Sequence, residues 1–415
     1  MNRRALLLLT TLATGACAGP SFEGSPSPTA PDASTGTPPI EPPPSGGGAT
    51  GGPVDADGDG YLDVIDPSGT LDPEWEARLE ERVLDHGAAL RTASLRLRGT
   101  LPSMTEIQYL RRSADPKVAY EQLIDGMLEE PVFHQRLIEY FRDTFRMGGG
   151  ALDSAPVFAA QLVAEGRDFT ELFTATSGTC PTYDAETDTF TPADCDNGVE
   201  THAGLLTHPA VMQQFASNLA FRRTRWVQEI FVCAPFPAEI GTGRDIGAAG
   251  LYTAPWSWDS ISGADNGGRI DFHDTSSVIC ANCHATMNHV APLFAQFDER
   301  GMWSADIAVR LPLDGSPLAM RTDWLPEGEP TAWRFGEPAP TLPALGMALA
   351  ADEDVQHCTV SRAWNWAMGH GDVINQAALV PDEAVAPIVA EYEASGHDLR
   401  RALRAVFTSS DFVRF

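Results

Sequence analysis

Basic residues are scarce in this chain. Lys and Arg together number 28 against 57 Asp and Glu in 415 residues, for a formal net charge of -29. That balance excludes the basic footprint of a nucleic-acid binder and argues against adhesion to anionic lipid through charge. Several catalytic signatures are also missing. There is no Gly-rich phosphate loop, no Ser, His and Asp in a nucleophile's order, no pair of carboxylates spaced for acid-base work and no internal repeat. Apolar residues are plentiful enough to fold: 43% of the chain is hydrophobic, which at this length allows two or three compact units.

Cys280, Ala281, Asn282, Cys283 and His284 form a C-x-x-C-H run, which reads as a c-type haem attachment site. Thiols one helical turn apart suit addition across the two vinyl groups of a porphyrin, and the adjoining imidazole suits the proximal iron position. Covalent haem c is therefore the expected cofactor. The same thiols also fit a disulfide, or with His273 and His289 a Cys2His2 zinc site.

The N-terminus points to export. Residues 1–17 have a charged start (Arg3, Arg4), an apolar stretch from Ala5 to Ala13 and small residues before Cys17, the order of a secretory signal. Cys17 resembles a bacterial lipoprotein cysteine, although Thr14 stands where Leu is usual. An acylated Cys17 would hold the chain on a membrane surface, in the periplasm or at the cell surface, and outer-membrane lipoprotein is the expected localisation; ordinary signal cleavage is the alternative. Residues 18–53 are Pro, Gly, Ser and Thr almost throughout, a composition that reads as a disordered tether. In residues 54–68, Asp55, Asp57, Asp59, Asp63 and Asp66 take positions 1, 3, 5, 9 and 12 of a calcium loop, Gly60 position 6 and the Tyr61 carbonyl position 7. A solvated acidic linker is the competing reading.

From about residue 71 amphipathic helices dominate. We divide the rest into an N-terminal helical domain (69–150), a helical segment carrying a Cys180 to Cys195 loop (151–240), a loop-rich haem segment (241–340) and a C-terminal helical domain (341–415). The fold class is mainly α, with helical domains flanking the haem segment. Ser103-Met-Thr-Glu106 reads as a capping box, and residues 203–233 read as continuing helix. Met287, Val290, Leu293, Phe294 and Phe297 are candidates for one wall of a haem pocket. Arg222, Arg223 and Arg225 suit haem propionates, but a solvated helix face or pairing with local acids is the expected role. Of seven cysteines, four remain after Cys17 and the haem pair. Cys180 and Cys195 bracket a turn-rich loop whose closure is worth about 3 kcal/mol, which leaves Cys233 with Cys358, either bonded or as buried thiols.

Gly204-Leu-Leu-Thr207, Arg223-Thr-Arg-Trp226, the haem run with Phe297-Asp298-Glu-Arg-Gly301 behind it, Cys358 before Trp366-Ala-Met-Gly369, and the closing stretch from Leu399 to Phe412 follow one another in this order. Together they resemble the planctomycete and myxobacterial cytochrome-c-like secreted proteins built from consecutive domains of unknown function. The resemblance implies a helical, exported protein with one covalent haem, and electron transfer to a redox partner protein. Asn288, His289, Ala291 and Ala295 stand where that family has Asp, Pro, Gly and Glu. A family His upstream of the first haem cysteine corresponds to His273, so His273 ranks first as distal iron ligand, followed by Met368; Met302, His289 and His370 are further candidates. A haem-dependent peroxidase or oxygenase is the second functional reading, and a non-catalytic surface protein with a structural disulfide or zinc site the third.

Overall fold

Helices build the core, and most begin at a residue suited to a helix N-terminus. The computed structural model describes residues 81–216, 218–233, 286–311, 315–369 and 380–415. Asp85 caps α1 (His86–Arg98), its carboxylate accepting from the Gly87 and Ala88 N–H groups at 2.8 and 2.9 Å. At the head of α2 (Met104–Arg112), Ser103 and Glu106 form the reciprocal capping box that their spacing predicts. Pro116 and Pro131 stand in the first turns of α3 (Pro116–Met127) and α4 (Pro131–Phe145), where a missing N–H costs nothing. α1 packs on α3 and α4, and α4 on α5 (Ser154–Ala164). Leu90, Ala93 and Leu97 of α1 and Phe133, Leu137, Phe141 and Phe145 of α4 are buried along those seams, at the three- and four-residue spacing of one helix face.

The chain then makes a short helix, α6 (Glu171–Thr174), and a hairpin of β1 (Thr182–Asp184) and β2 (Thr189–Thr191), with Tyr183 opposite Phe190. The stretch expected to continue as helix is broken. Residues 204–207 form a 3-10 turn, Pro209 opens α7 (Pro209–Gln214), and α8 (Phe221–Phe231) begins only after Leu219 and Ala220 take positive φ values of 56° and 61°. The break has a tertiary cause: it leaves the Leu219 carbonyl free to accept from the Trp324 indole at 2.9 Å.

A second small ribbon pairs β3 (Ala332–Trp333) with β4 (Glu337–Pro338). Thr341 caps α9 (Leu342–Ala351), Asp352 caps α10 (Glu353–Met368), and Gly369 ends α10. α10, α11 (Asp382–Ala394) and α12 (Leu399–Thr408) pack on one another, and α12 returns to α3. After α13 (Ser410–Val413) the end of the chain pairs with residue 83, since Val83 and Phe415 exchange backbone hydrogen bonds at 2.9 and 3.0 Å. One continuous apolar core runs through these helices. Among the described residues two disulfides are closed: Cys180 with Cys195 at the foot of the hairpin, and Cys233 with Cys358 between the end of α8 and α10. Among the described residues no helix is long and apolar enough to cross a membrane.

Candidate functional site

Two residues beyond His284 the chain is helical: residues 286–290 form α-helix and Ala291–Phe294 a tighter 3-10 turn. Thr286, Asn288 and His289 are buried, as are Val290, Phe294 and Phe297, while Met287 is half-buried against the same core. A helix end leaves carbonyls without intrahelical donors. Here a single side chain supplies donors. Arg223, 2% exposed, donates through Nη1 to the Phe294 and Phe297 carbonyls, both at 2.9 Å. Its Nη2 reaches the Asp298 carbonyl at 2.7 Å, and Nε and Nη2 reach the Met212 carbonyl at 3.1 and 2.7 Å. Burial lowers its pKa to about 10 and the nearby Asp298 acts against that shift, so the guanidinium is charged at neutral pH, the charge a helix C-terminus favours.

The turn that follows is held from both sides. The Asp298 carboxylate accepts from the Arg300 and Met302 N–H groups at 2.8 and 2.9 Å. Burial works against this carboxylate, but those bonds and the Arg300 guanidinium outweigh it and hold its pKa below the usual value. Gly301, at φ 78°, lies so near α7 that a Cβ there would stand 2.3 Å from the Pro209 carbonyl oxygen. The Gly301 carbonyl accepts from Asn197 Nδ2 at 3.1 Å, and the same amide donates to the Thr207 carbonyl at 2.9 Å. Gly204 is as tightly placed: its Cβ would meet the Leu172 carbonyl oxygen at 2.0 Å. Arg223 directly, and Thr207 through the Asn197 amide, thus meet Phe297 to Gly301 in the segment that follows the C-x-x-C-H run.

The other expected residues fall as follows. Cys280, Cys283, His284 and His273, the calcium set Asp55, Asp57, Asp59, Tyr61, Asp63 and Asp66, the lipidation candidate Cys17, and His370 lie outside the described residues. Met368 is the last residue of α10, half-buried and packed against the core. His289 is engaged through Nε2 by the Glu329 carboxylate at 2.7 Å. Arg225 pairs with Glu229 at 2.6 Å and Arg222 lies over the Phe215 ring, in keeping with the expected surface roles. Arg223 departs from that expectation by turning inward. Its position was visible in the spacing, because residues 223, 226, 227 and 230 share one helix face and the other three are Trp226, Val227 and Ile230.

A second cluster of chemistry-bearing side chains was not expected. Cys180, Cys195 and His208 place their donor atoms within 4.8 Å of one another. The sulfurs are bonded to each other, and His208 caps α7 by accepting the Ala210 N–H on Nδ1 at 3.1 Å. That bond puts the ring proton on Nε2, which faces the Cys180 sulfur at 3.4 Å. Nε2 is therefore a donor and not a metal ligand, since a ligating imidazole binds through its bare nitrogen. Full burial, with a smaller contribution from His202 and against a hydrogen bond with the Thr179 backbone, lowers the His208 pKa to about 3.

Pro292, Leu293, Gln296 and Phe297 form one wall of an open cleft of about 520 Å3, whose lining also includes Trp303 and Arg321. Comparisons with protein-family models, with curated proteins and with solved structures return no match.

Proposed function

We propose that this chain is an exported, lipid-anchored monohaem cytochrome-like protein that passes electrons to a redox partner protein in the periplasm or at the cell surface. The observation that carries the reading is the C-x-x-C-H run placed directly before a segment whose carbonyls are fixed by Arg223. Cys280 and Cys283 would hold the porphyrin as thioethers, and His284 the iron, with His273 or Met368 on the distal side. Bound there, haem supplies one-electron redox chemistry. The polypeptide's part is to resist movement when the charge of the site changes, and a helix end pinned by one buried cation suits that task. The cysteine arithmetic favours the same reading. Cys180, Cys195, Cys233 and Cys358 are closed in two pairs, so none of the four competes for Cys280 or Cys283. The Asp55 to Asp66 loop would bind calcium and stiffen the junction between tether and domain.

The second reading, a haem-dependent peroxidase or oxygenase, is favoured by the cleft beside Phe297, whose size is that of a small-molecule site. One experiment separates the two. The mature chain, produced in a host that attaches haem c, is titrated electrochemically and then reduced under carbon monoxide. A reversible one-electron transition with no carbon monoxide shift supports electron transfer, a prompt shift favours the enzyme, and a protein without any haem spectrum removes both.

A further inference from the structure

The two disulfides differ in what surrounds their sulfur atoms. At Cys180 and Cys195 each sulfur lies beside a hydrogen-bond donor: His208 Nε2, which also bonds the Thr179 backbone, stands 3.4 Å from Cys180 Sγ, and Thr179 Oγ1 3.3 Å from Cys195 Sγ. A disulfide sulfur has no proton to give, so Thr179 is the donor in its pair, and the Ala210 N–H bond to Nδ1 makes His208 the donor in the other. At Cys233 and Cys358 the polar contacts among the described residues are carbonyl oxygens instead, that of Cys358 at 3.7 Å from Cys233 Sγ and that of Ile230 at 3.5 Å from Cys358 Sγ. A thiolate is stabilised by donors and opposed by acceptors. Access differs too, because Cys180 is partly exposed, though Cys195 is buried, whereas Cys233 and Cys358 are 4% and 1% exposed.

The hairpin above Cys180 also has other anchors. Asp188 is bonded by the Tyr183 hydroxyl at 2.8 Å and by His134 Nδ1 at 2.9 Å, Phe190 packs between the Tyr183 and His134 rings, and the Gly178 N–H donates to Asp194 at 2.6 Å. Breaking the S–S bond leaves all of these in place.

The geometry points to Cys180 and Cys195 as a redox-active pair that exchanges with an external dithiol, with His208 and Thr179 holding the reduced form. A thiolate of the dithiol attacks Sγ of Cys180, the less buried of the two residues. The Cys180–Cys195 bond breaks, a mixed disulfide forms, and Cys195 leaves as a thiolate that accepts from Thr179. The second thiol of the reductant loses its proton and attacks the mixed disulfide, expelling the Cys180 sulfur as a thiolate that accepts from His208 Nε2. Two electrons have passed from the dithiol, now an internal disulfide, to the chain, and the two thiol protons end on the cysteines or in solvent. The reverse sequence reduces a partner's disulfide. This site does not depend on the haem reading.

The test is an equilibrium of the full chain with reduced and oxidised dithiothreitol over a range of ratios, quenched by alkylation, with each pair read by peptide mass spectrometry and helicity by circular dichroism. The Cys180–Cys195 pair is expected to open at a ratio at least 100-fold less reducing than the Cys233–Cys358 pair, with helicity unchanged. Thr179→Val, which keeps shape and removes the hydroxyl, and His208→Asn, which keeps the α7 cap and removes the donor to sulfur, are each expected to require a roughly 10-fold more reducing ratio, about 30 mV for two electrons. Opening of both pairs together, opening only with loss of helicity, or an unchanged midpoint in Thr179→Val would overturn the proposal, and that variant stands as a test even where His208→Asn does not fold.

Discussion

The α1 to α5 layer and the segment from residue 286 to 303 are held by different forces. In the first, Leu90, Leu97, Phe133, Leu137 and Phe145 are buried between packed helices, and polar contacts such as the Trp226 indole on the Phe145 carbonyl at 3.0 Å and the Tyr120 hydroxyl on the Phe407 carbonyl at 2.7 Å add to that packing. In the second, Arg223 and Asn197 donate to particular backbone carbonyls and the Asp298 carboxylate accepts from two backbone N–H groups. Apolar packing is non-directional and tolerates exchange of similar shapes. Donors aimed at buried carbonyls do not, because losing the donor leaves buried acceptors such as the Met212 and Phe297 carbonyls unsatisfied. A region that must keep one geometry is better built the second way, and the segment leaving the C-x-x-C-H run is built so.

Breaking the pinned segment should have the largest effect. Arg223→Met is expected to cost about 4 kcal/mol in urea unfolding, since it takes the guanidinium from the Met212 and Phe297 carbonyls and leaves the Phe294 and Asp298 carbonyls only the Phe297 and Gly301 N–H groups, and Arg223→Lys should recover less than half of the loss because an ammonium lacks the guanidinium fork. The packed layer should answer differently: Leu137→Ala is expected to cost about 3 kcal/mol but Leu137→Met less than about 1.5 kcal/mol. A conservative swap that proved as harmful at Leu137 as at Arg223 would dissolve the contrast. Gly301→Ala, which drives a methyl group toward the Pro209 carbonyl at a positive φ, should cost about 2 kcal/mol.

Acid extends the comparison to the hairpin. The His208 pKa falls from 6.5 to about 3 on folding, so between those values the unfolded chain binds the proton that the folded chain refuses. The associated stability is complete above about pH 6.5 and declines as pH falls toward 3, a loss of about 2 kcal/mol at pH 5. His208→Asn should remove that part of the pH dependence in denaturant titrations. The smallest effect is expected for Arg222→Ala on the outer face of α8, within about 0.5 kcal/mol.

Local features could be read from the residues alone. The Ser103 and Glu106 capping box and the apolar stripe of α4 lie within a few positions of one another, and the turn-rich loop between Cys180 and Cys195 announced its own closure. Features set by distant partners were less visible. The break before α8 exists because Trp324 claims the Leu219 carbonyl, about a hundred residues away in sequence. α9 fell within the expected C-terminal helical domain, but its bounds were not given, since Leu342 to Ala351 is apolar almost throughout and shows no face to count; their signal was Thr341 before Leu342-Pro343, a cap followed by an early proline. In the site, Gly301 and Asp298 were noticed as part of a pattern, but the reason for them, the carbonyl of Pro209 and two N–H groups of the turn, is tertiary or conformational. His208 gave no local hint beyond its place before Pro209.

The most direct test of the central claim is a pyridine haemochrome spectrum of the mature chain after acid-acetone extraction, with the protein made in a host competent for haem attachment. The account predicts a c-type spectrum that stays with the polypeptide, is abolished by substitution of Cys280 and Cys283 to Ser, and loses intensity in Arg223→Met. A chain that emerges from that host without haem, or whose haem leaves entirely with the acetone, would contradict it.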